Sequence, residues 1–246
     1  MILPTLNPNL RVIVIGASGG IGRAFTDLFA RSNQVEHVYA LSRSLSGHPS
    51  GKVTDLEIDI TSQESIKSVS ETLKNAAPFD LILIATGLLT GEGIAPEKSM
   101  RAITSKGFET SFNVNATGPA NVAKYFLPLL RRDSKAVFAA LSARVGSITD
   151  NRIGGWYAYR ASKAALNMII KTRAIEHARR FKDAVIISLH PGTVDTQLSK
   201  PYQGNVRPDT LFTPQEAAQK LIGVIDRLTP QDTGGLFDWK GECLEY

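Results

Sequence analysis

"RVIVIGASGGIGRAF" fills Arg11–Phe25, and its reading decides the fold. Val12–Ile15 is an unbroken apolar run that ends on Gly16. A short run that is apolar throughout reads as a strand covered on both faces. Glycines follow at positions 19, 20 and 22, where a helical stretch begins. Glycine permits the tight turn, and its missing side chain lets a pyrophosphate approach the backbone. The start of a helix adds unpartnered N–H groups and the positive end of the helix dipole. Gly16, Ser18, Gly19, Gly20, Ile21 and Gly22 are therefore candidates for holding the phosphates of a dinucleotide. A glycine run is often only a turn, but its place between a strand and a helix favours the phosphate reading.

The rest of the chain repeats the theme. Apolar runs recur at His37–Ser42, Val53–Asp59, Phe79–Thr86, Lys135–Ser142 and Ala184–His190. Amphipathic stretches lie between them, for example Ser62–Ala76 with Ile66, Val69 and Leu73 at helical spacing. Strands of this kind alternating with helices predict a single α/β domain over residues 1–246. It is a doubly wound parallel sheet of Rossmann type with helices on both faces. "GLFDW" (Gly235–Trp239) predicts a last strand. The ligand should sit beyond the carboxyl ends of the strands, where the strand order reverses.

The end of the second strand bears on which dinucleotide binds. A site for NAD usually carries Asp or Glu there, to hold the ribose 2′-hydroxyl. This chain reads "ALSRS" (Ala40–Ser44), with Arg43 and no acid. A carboxylate would repel a 2′-phosphate, whereas a guanidinium would bind it through charge-assisted hydrogen bonds. Arg43, with donors from Ser42 and Ser44, therefore predicts NADP(H) as cofactor. The plainer alternative is that Arg43 is a solvated loop residue.

The 246 residues, 43% of them apolar, suffice for one sizeable core, and no linker or repeat divides them. The single cysteine, Cys243, excludes an internal disulfide and fits a reducing cytoplasm. No run approaches the ~20 apolar residues that span a bilayer. "MILPTLNPNLR" (1–11) has no basic segment ahead of a long apolar run, so neither a membrane span nor a signal peptide is expected. The net charge is +5, with basic residues that read as dispersed and short pairs only at Arg131-Arg132 and Arg179-Arg180. A nucleic-acid surface would cluster them, so none is expected. No set of metal ligands is read either.

"YAYRASKAALN" (Tyr157–Asn167) places Tyr159 and Lys163 four residues apart, in a stretch to Arg180 that reads as one helix. Residues at that spacing share a helix face. Alone the pair is weak, since chance matches are common; the glycine loop and the sheet pattern give it weight. The chain carries "GASGGIG" (16–22), Asp59, "ATG" (85–87), "NVNATG" (113–118), "YRASK" (159–163) and "HPGTVDT" (190–196). On these residues it resembles the short-chain dehydrogenase/reductase family over nearly its full length. "GGWYAYRASKAALNM" (154–168) is similar to the C-factor and sniffer branch of carbonyl-reductase-like members.

The resemblance implies roles. Tyr159 would be the general acid to a carbonyl, or the base to an alcohol. Lys163 would lower the phenol's pKa from near 10 and bind the nicotinamide ribose. Asn115 would support a water-mediated proton relay. Asp59 and Ile60 would flank the adenine. Ala85, Thr86 and Gly87 would pass the cofactor ribose, Thr86 standing near an asparagine of the usual pattern. Pro191, Gly192, Val194 and Thr196 would shape the nicotinamide site.

One element breaks the pattern. The family has a serine that binds the substrate oxygen, in "SSxxG" after the fifth strand. Here "LSARVG" (Leu141–Gly146) puts Ala143 at that position. Ser142 is the preferred substitute, although neighbouring strand residues face opposite ways. It would reach the site only if the strand end twists or bulges. Ser147, or no serine at all, is the alternative.

Ile153, Trp156, Tyr157, Leu198 and Tyr202 are candidates for an apolar wall, and residues 195–212 read as a substrate lid. The resulting expectation is a cytoplasmic NADPH-dependent oxidoreductase that reduces a small or medium carbonyl compound to an alcohol, as a homodimer or homotetramer. The alternative is a dinucleotide-binding signalling or sensor protein of the C-factor type, with little turnover.

Overall fold

A computed structural model describes residues 1–45, 47–91, 94–207 and 210–246, with Asn205 described by its backbone alone. Eight strands form one sheet, in the order β10-β9-β6-β5-β4-β1-β2-β3. Six are the expected apolar runs: β1 (Leu10–Ile15), β2 (Val35–Ser42), β3 (Val53–Glu57), β4 (Leu81–Ile84), β5 (Ala136–Leu141) and β6 (Ala184–His190). Their neighbouring pairs are all parallel. The expected last strand is β9 (Leu236–Asp238), parallel to β6. The sequence reading missed β10 (Cys243–Leu244), a two-residue strand that closes the edge antiparallel to β9. Two residues carry too little periodicity to be read in advance.

Alternation along the strands divides the core in two. Val12 and Val14 pack towards α1 (Gly20–Arg31) and α6 (Pro214–Arg227), while Ile13 and Ile15 pack towards α2 (Gln63–Leu73), α4 (Gly118–Phe126) and α5 (Tyr157–Ala178). Burying each such side chain contributes about 1.5–3 kcal/mol, so a slip of one residue in register would be costly throughout the sheet.

Capping sets the helix starts. Ser62 accepts from Ser65 N to begin α2, and Thr213 forms a capping box with Glu216 ahead of Pro214 in α6. α5 ends at Ala178, two residues short of the expected Arg180. It starts differently from the other helices. Trp156 holds a left-handed conformation (φ 53°) with no side-chain cap of its own. Instead Trp156 N donates to Glu97 O, and Ala158 N to Glu97 Oε2. The Glu97 carboxylate, 6% exposed, thus caps the helix and favours the positive end of its dipole. Among the described residues no helix is long and apolar enough to cross a membrane.

Candidate active site

The strand order reverses between β1 and β4, and their carboxyl ends meet. Ala85 N donates to Ile15 O at 2.7 Å. Gly16 takes φ +88° there, and a Cβ on it would lie 2.9 Å from the Ala85 carbonyl carbon. A Cβ on Gly22 would lie 2.1 Å from Gly16 O, so α1 packs directly on the turn. No side chain caps the start of α1 and no acid sits in its first turn, which leaves its N–H groups open to an anion.

A groove of about 870 Å³ runs past Ser18, Gly19, Gly20, Ile21, Arg43, Ala85 and Gly87. Thr86 Oγ1, close by, is buried with no partner among the described residues. An uncapped helix start, an arginine and an unsatisfied hydroxyl fit a phosphate- and ribose-bearing ligand. One expectation changes here. Ser42 donates its hydroxyl to Ser44 O at 2.7 Å, because the chain turns back on itself after β2, so its proton is not offered to the groove. Asp59 and Ile60 follow the end of β3. The Asp59 carboxylate accepts from Thr61 N and Oγ1, which hold it below the usual carboxylate range, with help from the charge of Arg43. Ile60 packs against Gly118.

The groove opens past Ala85 and Gly87 into a second cavity of about 370 Å³, whose wall Tyr159 and Lys163 form in part. Lys163 Nζ donates to Leu141 O at 2.9 Å and lies 6.0 Å from the centre of the Tyr159 ring. Burial pushes the Tyr159 phenol up to about 12 and the Lys163 ammonium down to about 8. The expected lowering of the phenol by Lys163 is therefore reversed. Loss of water from both groups outweighs an attraction across that distance.

Asn115 sits in a π-helical turn, Asn113–Thr117, that joins α3 (Ser105–Phe112) to α4. Its amide exchanges hydrogen bonds with Leu88 N and Leu88 O, both at 2.8 Å, and donates to Ser162 Oγ at 3.1 Å. Ser162 in turn donates to Tyr159 O. The loop after β4 is thereby tied to the helix that carries Tyr159. A Cβ on Gly87 would be only 3.7 Å from Lys163 Nζ and 3.8 Å from Asn115 Oδ1.

Pro191, Gly192, Val194 and Thr196 all line the second cavity. So do Trp156, Leu198 and Tyr202; the Tyr202 ring meets Trp156 edge to face at 5.1 Å. Ile153, 90% exposed, does not, and neither does Tyr157. The expected lid is a tethered segment. Its ends pair as β7 (Thr193–Val194) and β8 (Leu211–Phe212), and a 3-10 turn, Lys200–Asn205, lies between. Its residues Pro208 and Asp209 lie outside the described residues.

Ser142 borders the cavity, but β5 stays regular at its end, with Ser142 N bonded to Leu189 O. The side chain keeps the α5 face, and its hydroxyl goes to Asn167 Oδ1 at 2.7 Å. It does not supply the free donor expected of it. Ser147 faces a different cavity, towards Cys243, and its Oγ accepts from Asp150 N. Ala143 lines the substrate cavity with a methyl group.

Four residues that serve this site were missed. Ser162 lies inside the quoted motif, three residues after Tyr159, and that spacing was the available signal. Asn167, at the end of the same stretch, holds Ser142. His190 opens the quoted "HPGTVDT"; its Nδ1 is buried without a partner, and burial pushes the imidazole down to about 4. Glu97 had no signal at all, since it reaches α5 from 61 residues away.

The profile of the short chain dehydrogenases matches residues 11–206. A Rhodococcus 1-hydroxy-2-glutathionyl-2-methyl-3-butene dehydrogenase is 29% identical over 237 residues, covering 96% of this chain and 99% of that one. The C-signal of Myxococcus xanthus is 36% identical over 131 residues, 53% of this chain and 74% of its own. The structure of the NADPH-bound carbonyl reductase from chicken fatty liver superposes with a TM-score of 0.83 at 23% identity, covering 98% of this chain and 96% of that one. With most of its length matched by the family profile, the chain belongs to the short-chain dehydrogenase/reductase family of oxidoreductases.

Proposed function

We propose that the protein reduces a small or medium carbonyl compound to an alcohol with NADPH. The observation that carries this reading is the placement of Tyr159 and Lys163 in the wall of an apolar cavity that opens into the phosphate-fitting groove. The nicotinamide, when bound, supplies the hydride. Tyr159, protonated at neutral pH because its phenol is held near 12, gives its proton to the substrate oxygen. Lys163, charged below about 8, stabilises the phenolate left behind. Asn115 keeps the loop after β4 against α5, and with Lys163 it links Tyr159 to water. Ser142 positions Asn167 and leaves Tyr159 as the main donor to the carbonyl. The lid, resting Tyr202 on Trp156, excludes water from this step.

Arg43 supports NADPH over NADH, as does the NADPH bound in the chicken reductase. The apolar walls support an uncharged substrate. Met168 and Ile175, 67% and 54% exposed on α5, support association of copies into a dimer or tetramer, and the single exposed thiol supports a cytoplasmic location.

The test is NADPH oxidation by the purified protein against diketones, quinones and aldehydes, followed at the nicotinamide absorbance. Turnover on any of them is expected. Ala143 and the C-signal relative favour a second reading, a dinucleotide-binding sensor with little turnover. Tight NADPH binding with no oxidation across the panel would support it.

A further inference from the structure

Arg132, from one of the arginine pairs that look dispersed in the sequence, meets both members of the other. Arg132, Arg179 and Arg180 line one cavity of about 480 Å³ together with Arg173. It lies at the carboxyl ends of α4 and α5, at the end of the sheet opposite the active site. Lys163 and Arg173 are ten residues apart on α5, or about 15 Å along its axis. Four guanidiniums face the single carboxylate of Glu176, an excess of three positive charges while His177 is neutral. Burial first, then Arg173 and Arg132, pushes the His177 imidazole below its ordinary range.

The arginines are partly pre-arranged. The Arg132 guanidinium stacks 4.5 Å over the Phe181 ring and donates to Pro128 O. Arg173 Nη1 is held by Glu176, while its buried Nε has no partner among the described residues. Arg179 and Arg180 have no recorded ion pair among the described residues.

We propose that this cavity binds a small polyvalent oxyanion of the phosphate class, such as a polyphosphate or a phosphorylated metabolite. Guanidinium is always charged, and its planar fork pairs two-to-two with phosphate oxygens. The volume falls in the range of small-molecule sites. Phe181 already meets Arg132 on its face and His177 at 4.7 Å, so recognition rests on charge rather than on stacking of an aromatic ligand. Nothing in the reductase reading requires this site.

Calorimetric titration of pyrophosphate into the NADPH-saturated protein, at physiological ionic strength, tests the proposal. Saturation keeps pyrophosphate out of the dinucleotide groove. One pyrophosphate per chain is expected to bind, more tightly than orthophosphate. The R132Q/R180Q double variant should weaken it by at least about tenfold, with an unchanged thermal midpoint showing that the variant is folded. R132K/R180K, which keeps the charge but loses the fork, should fall in between. Any of three results would overturn the proposal: no saturable heat, equal affinity in the double variant, or one pyrophosphate per two chains, which would mean a site shared between copies.

Discussion

The dinucleotide groove and the substrate cavity share Ile21, Ala85, Gly87, Leu89, Thr196 and Leu198, yet they are built in different ways. The groove is made mainly where strands end, at the turn after β1, Arg43 after β2 and the loop after β4, and is closed by Asp195, Thr196, Gln197, Leu198, Lys200 and Pro201. Each piece is a short local run whose backbone conformation does the work. The substrate cavity is enclosed by side chains that reach it from distant segments, namely Val145, Trp156, His190, Leu198, Tyr202 and Val206. A shape set by strand ends persists whatever fills the loops. The segment after β7 lines both, but the substrate cavity depends more on packed side chains, so its shape can vary within one family.

The sharpest way to break this picture is at the boundary. Tyr159→Phe removes one oxygen from the wall of the cavity next to the groove. Turnover should fall about 10²–10⁴-fold. NADPH affinity should stay within about twofold, because the phenol makes no charged contact with a phosphate. A fluorescence titration beside the turnover assay checks both. Retained turnover would mean that another group gives the proton.

Within the groove, Arg43→Asp replaces attraction for a 2′-phosphate by repulsion. NADPH binding should weaken by at least about tenfold, and NADH binding much less. Equal losses for the two cofactors, measured by titration, would remove Arg43 from the 2′-phosphate.

The pH dependence of reduction reads the boundary again. Tyr159 donates only below its pKa of about 12, so it stays competent throughout the useful range. Lys163 is depressed to about 8 by burial, so its charge is present below that value and lost above it. The rate of carbonyl reduction should be level from pH 5 to 7 and fall about tenfold per unit above 8. A rate that climbs towards pH 10 would mean that a neutral Lys163 suffices.

These expectations also mark what the sequence could disclose. The strands around Val12, Ile82 and Ile187 were legible because each is apolar on both faces, a pattern that few other structures require. Gly16–Gly22 and Tyr159–Lys163 were legible because local spacing alone fixes their geometry. The commitment of Ser42 to Ser44 O was not, since it depends on the direction the chain takes after β2. Nor was the reversal of the Tyr159 pKa, which follows from the depth of burial rather than from having lysine as a neighbour. The cap from Glu97 and the meeting of Arg132 with Arg179 and Arg180 depend on contacts between segments far apart in the chain.

The substrate half offers the smallest and most informative change. Ala143 stands where relatives of this family carry a hydroxyl, and the Ser142 hydroxyl donates to Asn167 Oδ1. A carbonyl in the cavity therefore meets one strong donor, Tyr159, where two would be usual. Losing a preorganised donor typically costs about 10²–10³ in rate, but a serine added to a wall shaped around a methyl group recovers only part of that. Ala143→Ser should raise the turnover number by about three- to tenfold and leave the Michaelis constant for NADPH unchanged, because the new hydroxyl lies on the substrate side. The gain should vanish in Ala143→Ser/Tyr159→Phe, where no acid remains for the hydroxyl to assist. If Ala143→Ser leaves the rate unchanged, the second donor is already present. His190 is then the residue to substitute next, since its imidazole lines the same cavity, is neutral, and has a buried Nδ1 without a partner.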